Sequence, residues 1–125
     1  MRLHHLGIAC YDINDAIEGI KKYHNIISKS EIIYDSLQNA SLCMVKTDAN
    51  VDIEFIAGEG VVHLCKRGIS FYHVCYEVDN LDETIEQYIS QCALLISSPK
   101  KAILFGGRRV AFLQVDYGLI ELLEA

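Results

Sequence analysis

His5-Leu6-Gly7-Ile8-Ala9 and His73-Val74-Cys75-Tyr76-Glu77 open two copies of one pattern, 68 residues apart (5 to 73). Each opening leads through a turn into an amphipathic run. The first is Asp12-Ile13-Asn14-Asp15-Ala16-Ile17-Glu18 and the second Asn80-Leu81-Asp82-Glu83-Thr84-Ile85-Glu86. The copies also close alike, in Asp52-Ile53-Glu54-Phe55-Ile56-Ala57 and Leu119-Ile120-Glu121-Leu122-Leu123-Glu124, 67 residues apart (54 to 121). From His to Glu the chain runs 49 residues in the first copy (5 to 54) and 48 in the second (73 to 121). One such half-sheet cannot bury its apolar face alone, whereas two can close around a shared cleft.

Working outward, residues 2–10 read as a strand, and Asp12 or Asn14 caps a helix over about 13–27 with Ala16, Ile17, Ile20 and Tyr23 at helical spacing. Strand-like runs follow at 29–34, 40–46 and 51–57, separated by breaks at 35–39 and 47–50. Gly58-Glu59-Gly60 and Lys66-Arg67-Gly68 bracket a short connector. The second copy repeats the order: a strand at 70–78, a helix from the Asn80/Glu83 cap to about Gln91, and strands at 94–97, 109–115 and 119–123, with turns at Gly106-Gly107 and Asp116-Tyr117-Gly118. The expectation is one α+β domain over residues 1–125. It consists of two tandem βαβββ modules, about 1–58 and 69–125, forming a cupped mixed sheet around a metal cleft.

Composition narrows the function. A chain of 125 residues, 51% hydrophobic and 22% charged, can bury a proper core. A net charge of −6 argues against a nucleic-acid partner. No apolar stretch is long enough for a bilayer, so no membrane partner is expected. The N-terminus carries Arg2, His4 and His5 and reads as a strand rather than a signal peptide. Five cysteines, an odd number with no CxxC pair, read as buried free thiols in a reducing, cytoplasmic setting.

Strand alternation sends His4 and His5 to opposite faces, and the repeat chooses between them: His5 matches His73, while His4 matches Tyr72. Glu54 and Glu121 sit inside apolar sequence, where a carboxylate needs a compensating partner. Any one of these four residues reads most simply as an ordinary strand side chain. Four of them coinciding with a repeat favour a metal site. Two imidazoles and two carboxylates suit zinc, nickel, cobalt, manganese or iron, with the remaining coordination positions going to water or substrate. Arg108 and Arg109 follow the Gly-Gly turn and are candidates for a substrate carboxylate or phosphate, weighed evenly against a solvated turn. Gly106-Gly107 lacks the lysine and spacing of a phosphate loop. Tyr76 and Phe112 are candidates to shape the pocket, and Glu77 reads as a strand-face charge.

Leu3-His4-His5-Leu6-Gly7-Ile8-Ala9, Tyr72-His73-Val74-Cys75-Tyr76-Glu77-Val78-Asp79 and Gly118-Leu119-Ile120-Glu121-Leu122 resemble the vicinal-oxygen-chelate superfamily, which includes glyoxalase I, methylmalonyl-CoA epimerase, extradiol dioxygenases and metal-free bleomycin-resistance proteins. The resemblance covers essentially the whole chain and implies metal ligation by His5, Glu54, His73 and Glu121. It also implies that the metal acts as a Lewis acid on a substrate oxygen, with Glu121 as base and Glu54 as ligand and second acid/base. The His-Leu-Gly-Ile-Ala opening, the Tyr72–Asp79 segment and the Gly-rich turn in Pro99–Phe112 look most like methylmalonyl-CoA epimerase. Two positions depart from it: Glu54 stands where epimerases have Gln, and Leu42 falls on their third-strand acid/base Glu, with Gln38 on the preceding Gln. The His, Glu, His, Glu set is that of bacterial glyoxalase I, but the first copy lacks that enzyme's glutathione-holding Arg and Asn.

The resemblance implies a divalent-metal-dependent epimerase or isomerase that transfers a proton next to a carbonyl, on a small molecule such as an acyl-CoA or other thioester. A glyoxalase I-type lactoylglutathione lyase comes second, and a metal-free antibiotic-binding protein third. Extradiol oxygenation fits less well, since those enzymes use two His and one Glu. Members of the superfamily often pair copies between chains, so a homodimer is expected.

Overall fold

Nine strands and three helices, with both parallel and antiparallel pairing, make up the computed structural model, which describes residues Met1–Ala125. The α+β class expected from the sequence is the one observed. The chain divides into two compact units: His5–Tyr72, and His73–Ala125 together with Met1–His4.

In the unit His5–Tyr72, β1 (Arg2–Ala9, of which residues 2–4 belong to the other unit) lies parallel to β5 (Asp52–Ala57). β5 is antiparallel to β4 (Ala40–Thr47), and the far edge of β4 takes both β2 (Ile26–Lys29) and β3 (Ile33–Asp35). α1 (Ile13–Ile20) starts where Asp12, in extended backbone, accepts a 2.9 Å hydrogen bond from the Asp15 amide. Ile13 and Ile17 of α1 pack onto Cys43, Val45 and Phe55. Burying each isoleucine is worth about 1.5–3 kcal/mol. A short α2 (Val62–Lys66) lies in the connector.

The other unit repeats the order. β6 (Phe71–Val78) is parallel to β9 (Gly118–Glu124), which is antiparallel to β8 (Arg109–Val115), which is antiparallel to β7 (Leu94–Lys101). α3 (Leu81–Ser90) is capped by Asn80, which accepts from the Glu83 amide at 3.0 Å. Pro99 is tolerated because β7 pairs only with β8 and its register slips between Ser97 and Lys100.

Several boundaries differ from the sequence reading. The first helix ends at Ile20 rather than near residue 27, and Tyr23 is exposed. β-branched Ile26 and Ile27 belong to β2, where Ile26 pairs with Thr47. The strand read over 29–34 is broken at Ser30, whose amide donates to the Met44 carbonyl while its hydroxyl accepts from the Met44 amide. The cysteines are not uniformly buried: Cys43 and Cys75 are, Cys10 and Cys65 are half-buried, and Cys92 is exposed at a turn with φ 73°. No helix is long and apolar enough to cross a membrane.

Gly60 is required by close approach. Its amide donates to the Asn39 carbonyl, and a Cβ there would run into the Gln38 carbonyl. Gly60→Ala should therefore destabilise by about 1–3 kcal/mol. Thermal melts should show Tm falling by about 4 °C per kcal/mol, whereas an unchanged Tm would mean that the Gln38 turn yields freely.

Candidate metal centre

Strand register places the duplicated residues. In one unit Gly7 pairs with Glu54, and Glu54 with Met44. In the other, Cys75 pairs with Glu121, and Glu121 with Phe112. The three columns are offset by 68, 67 and 68 residues (7 to 75, 54 to 121, 44 to 112), so the sequence repeat is a repeat of register. In a parallel pair the residue two back from Gly7 or Cys75 lies on the same face as the Glu. That residue is His5 in one unit and His73 in the other.

The result is one His–Glu pair per unit. His5 Nε2 stands 3.7 Å from Glu54 Oε1, and His73 Nε2 stands 3.4 Å from Glu121 Oε1. His5 and His73 are fully buried, and Glu54 and Glu121 are 1% exposed. Two donors each ~2.1 Å from one ion, at angles between a right angle and tetrahedral, lie roughly 3.0–3.4 Å apart. The His73–Glu121 pair meets that spacing and the His5–Glu54 pair is slightly wider. The chemistry also fits, since imidazole nitrogen and carboxylate oxygen are the donors that borderline divalent metals take. A divalent ion is therefore a group that these residues suit.

The surroundings of the two pairs differ. Phe112 meets the His73 ring edge-on, with ring centroids 5.3 Å apart and planes at 89°. The corresponding Met44 is a flexible apolar wall beside Glu54. Leu42 pairs with Ile56 and is 2% exposed. It lies two residues from Met44, on the face that carries Glu54, and makes that face alkyl there.

The two candidate arginines are engaged elsewhere. Arg108 Nη1 donates to Glu77 Oε2 at 2.7 Å, and Arg2 also pairs with Glu77. Glu77, read from the sequence as a strand-face charge, is 9% exposed and held by two guanidinium groups. Only the distant match of Arg2 and Arg108 to one carboxylate could have revealed this, and sequence spacing does not encode it. Arg109 holds Glu124 through Nε at 3.0 Å and Nη2 at 2.8 Å, and reaches Asp82 at 2.9 Å. The Arg109 hydrogen bond lowers the Glu124 pKa, and the two acids raise that of Arg109. Tyr76 lies an odd number of residues from His73, on the opposite face of β6, and hydrogen-bonds to Tyr117 instead of lining the His73 side.

With the geometry in place, the comparisons are direct. Residues 4–112 match the Glyoxalase/Bleomycin resistance protein/Dioxygenase superfamily, and the chain belongs to that superfamily. Among solved structures, a hypothetical protein from Bacillus halodurans superposes with a TM-score of 0.78 at 20% identity, covering 99% of this chain and 94% of that one. Methylmalonyl-CoA epimerase from Mycobacterium tuberculosis superposes at 0.77 and 21% identity, covering 98% and 87%. A Streptomyces coelicolor methylmalonyl-CoA epimerase variant in complex with 2-nitronate-propionyl-CoA superposes at 0.76 and 17%, covering 100% and 97%. At these identities the likeness is one of fold. No curated protein matches the sequence.

Two outcomes test this electrostatic frame. Glu77→Gln should cost about 1.5–3 kcal/mol, the worth of hydrogen bonds to charged groups. Urea unfolding would read it as a lower midpoint at unchanged slope. Glu124 titrates lower when folded than when unfolded, so its contribution to stability is full above the ordinary carboxylate range and fades as pH falls through its lowered midpoint. In Arg109→Gln, carboxyl NMR should show that midpoint moving up; an unmoved midpoint would dismiss the pair.

Proposed function

We propose that this protein is a divalent-metal-dependent isomerase or epimerase that moves a proton next to a carbonyl, with an acyl thioester as the substrate class. The observation that carries the reading is the register-equivalent pair of buried His–Glu couples, His5 with Glu54 and His73 with Glu121. His5, Glu54, His73 and Glu121 would hold the metal. The two couples would come either from one chain or from two copies in a homodimer. When bound, the ion supplies Lewis acidity toward a carbonyl oxygen.

Glu121 takes the proton from the neighbouring carbon. Its burial removes bulk water from the reacting carboxylate. The edge of Phe112 fixes the His73 ring beside it. Glu54 is the second acid/base, on the side that Leu42 and Met44 line. Arg108 and Arg109 would reach a substrate anion only by giving up Glu77 or Glu124. The named epimerases among the structural neighbours support the thioester class.

One observation favours a second reading. Inverting a carbon centre requires acid/base groups on both of its faces, whereas moving a proton between adjacent carbons requires one. Leu42 puts an alkyl group where a further carboxylate would serve inversion. That favours a glyoxalase-type isomerisation of a hemithioacetal. A third reading, metal-free binding of a small molecule, leaves the buried carboxylates without chemistry.

Elemental analysis of protein purified without chelators should find about one divalent ion per site, lost in His5→Ala. Glu121→Gln should lower turnover by a factor of ~10²–10⁴, the usual share of a general base. Deuterium from solvent should enter methylmalonyl-CoA with inversion in the first reading, and hemithioacetal turnover should dominate in the second. Absence of metal after reconstitution would overturn both in favour of the binding protein.

A further inference from the structure

One cavity includes none of the His–Glu residues in its lining. It has a volume of about 330 Å³ and is lined by Tyr88, Gln91, Ala93, Val115, Asp116 and Tyr117. All six residues belong to the unit His73–Ala125. They come from the end of α3 and from the turn between β8 and β9. Tyr76 adds its hydroxyl from behind, 3.1 Å from that of Tyr117, on the face of β6 opposite His73. The volume is at the lower end of small-molecule sites, ~300–1,000 Å³, so the occupant is small.

The electrostatics select its charge. The carbonyl end of α3 points to this region, and the helix dipole makes that end negative. Basic side chains commonly offset such an end, but the last turn of α3 has none. Asp116 adds a full negative charge, and no Lys, Arg or His lines the cavity. An anion would be repelled. Tyr88 and Tyr117 are both in the lining, and aromatic rings attract cations. The hydrogen bond with Tyr76, and after it desolvation, pushes the Tyr117 phenol up to about 12. It therefore stays neutral in the physiological range.

We infer that this cavity is a binding site for a small organic ammonium, held by the Tyr88 and Tyr117 rings, the Asp116 carboxylate and the C-terminal end of α3. The inference stands apart from the proposed metal chemistry, because none of its residues is a proposed ligand or base.

Choline and 3,3-dimethylbutan-1-ol share a shape and differ in charge, so the pair separates cation recognition from apolar filling. Ring resonances of Tyr88 and Tyr117 should shift saturably with choline, and the neutral alcohol should bind at least tenfold more weakly. Tyr117→Leu keeps apolar bulk at a residue 66% exposed, so the fold should survive. That variant and Asp116→Asn should each weaken choline binding several-fold, while Arg109→Gln should leave it unchanged. Three results would overturn the assignment: equal binding of the alcohol, no shift at tens of millimolar choline, or choline binding that persists in a folded Tyr117→Leu/Asp116→Asn double variant.

Discussion

Two carboxylates almost wholly removed from water set the terms for this molecule. Moving a charge into a dry interior carries a penalty of several kcal/mol unless opposite charge or donors compensate. Glu54 and Glu121 meet this constraint in the same way, each on a strand parallel to one carrying a histidine. The parallel pairing of β1 with β5 and of β6 with β9 is therefore more than a topological detail. A slip of one residue would turn each Glu away from its His. The fold preserves the register and thereby preserves a chemically demanding pair of sites.

Duplication has kept the donors and changed the walls. At equivalent register positions Gly7 stands against Cys75, Met44 against Phe112, and Leu42 against Val110. Around His73 the wall is a rigid ring, while around Glu54 it is thioether and alkyl. The two couples are alike in donor chemistry and unlike in surroundings. On the proposed function, such a difference would let one carboxylate serve as base while its twin remained mainly a ligand.

The sequence made the repeat legible because strand alternation and register act on the same spacing that an alignment of the copies reveals. His5, Glu54, His73 and Glu121 could all be named from it, and the structure places each His beside the Glu of its own copy. Features that depend on competition between distant segments were not legible. The first helix looked longer because Tyr23 keeps helical spacing, yet pairing of Ile26 with Thr47 takes the chain into β2. Ser30 splits the next strand through hydrogen bonds to Met44, a partner fourteen residues away. The arginine pair looked free for a substrate because nothing local announces Glu77 and Glu124 as their partners.

The division of β1 between the two units has a topological result. Residues Met1–His4 belong with His73–Ala125, and Arg2 pairs with Glu77 across 75 positions of chain (2 to 77). The unit His5–Tyr72 is continuous, but the other is not, so no single scission yields both as intact fragments. Bringing Arg2 to Glu77 closes a long loop, and closure entropy grows only logarithmically with length. The link is thus thermodynamically modest but slow to find. On a growing polypeptide, residues Met1–His4 must wait for residues His73–Ala125 to be synthesised.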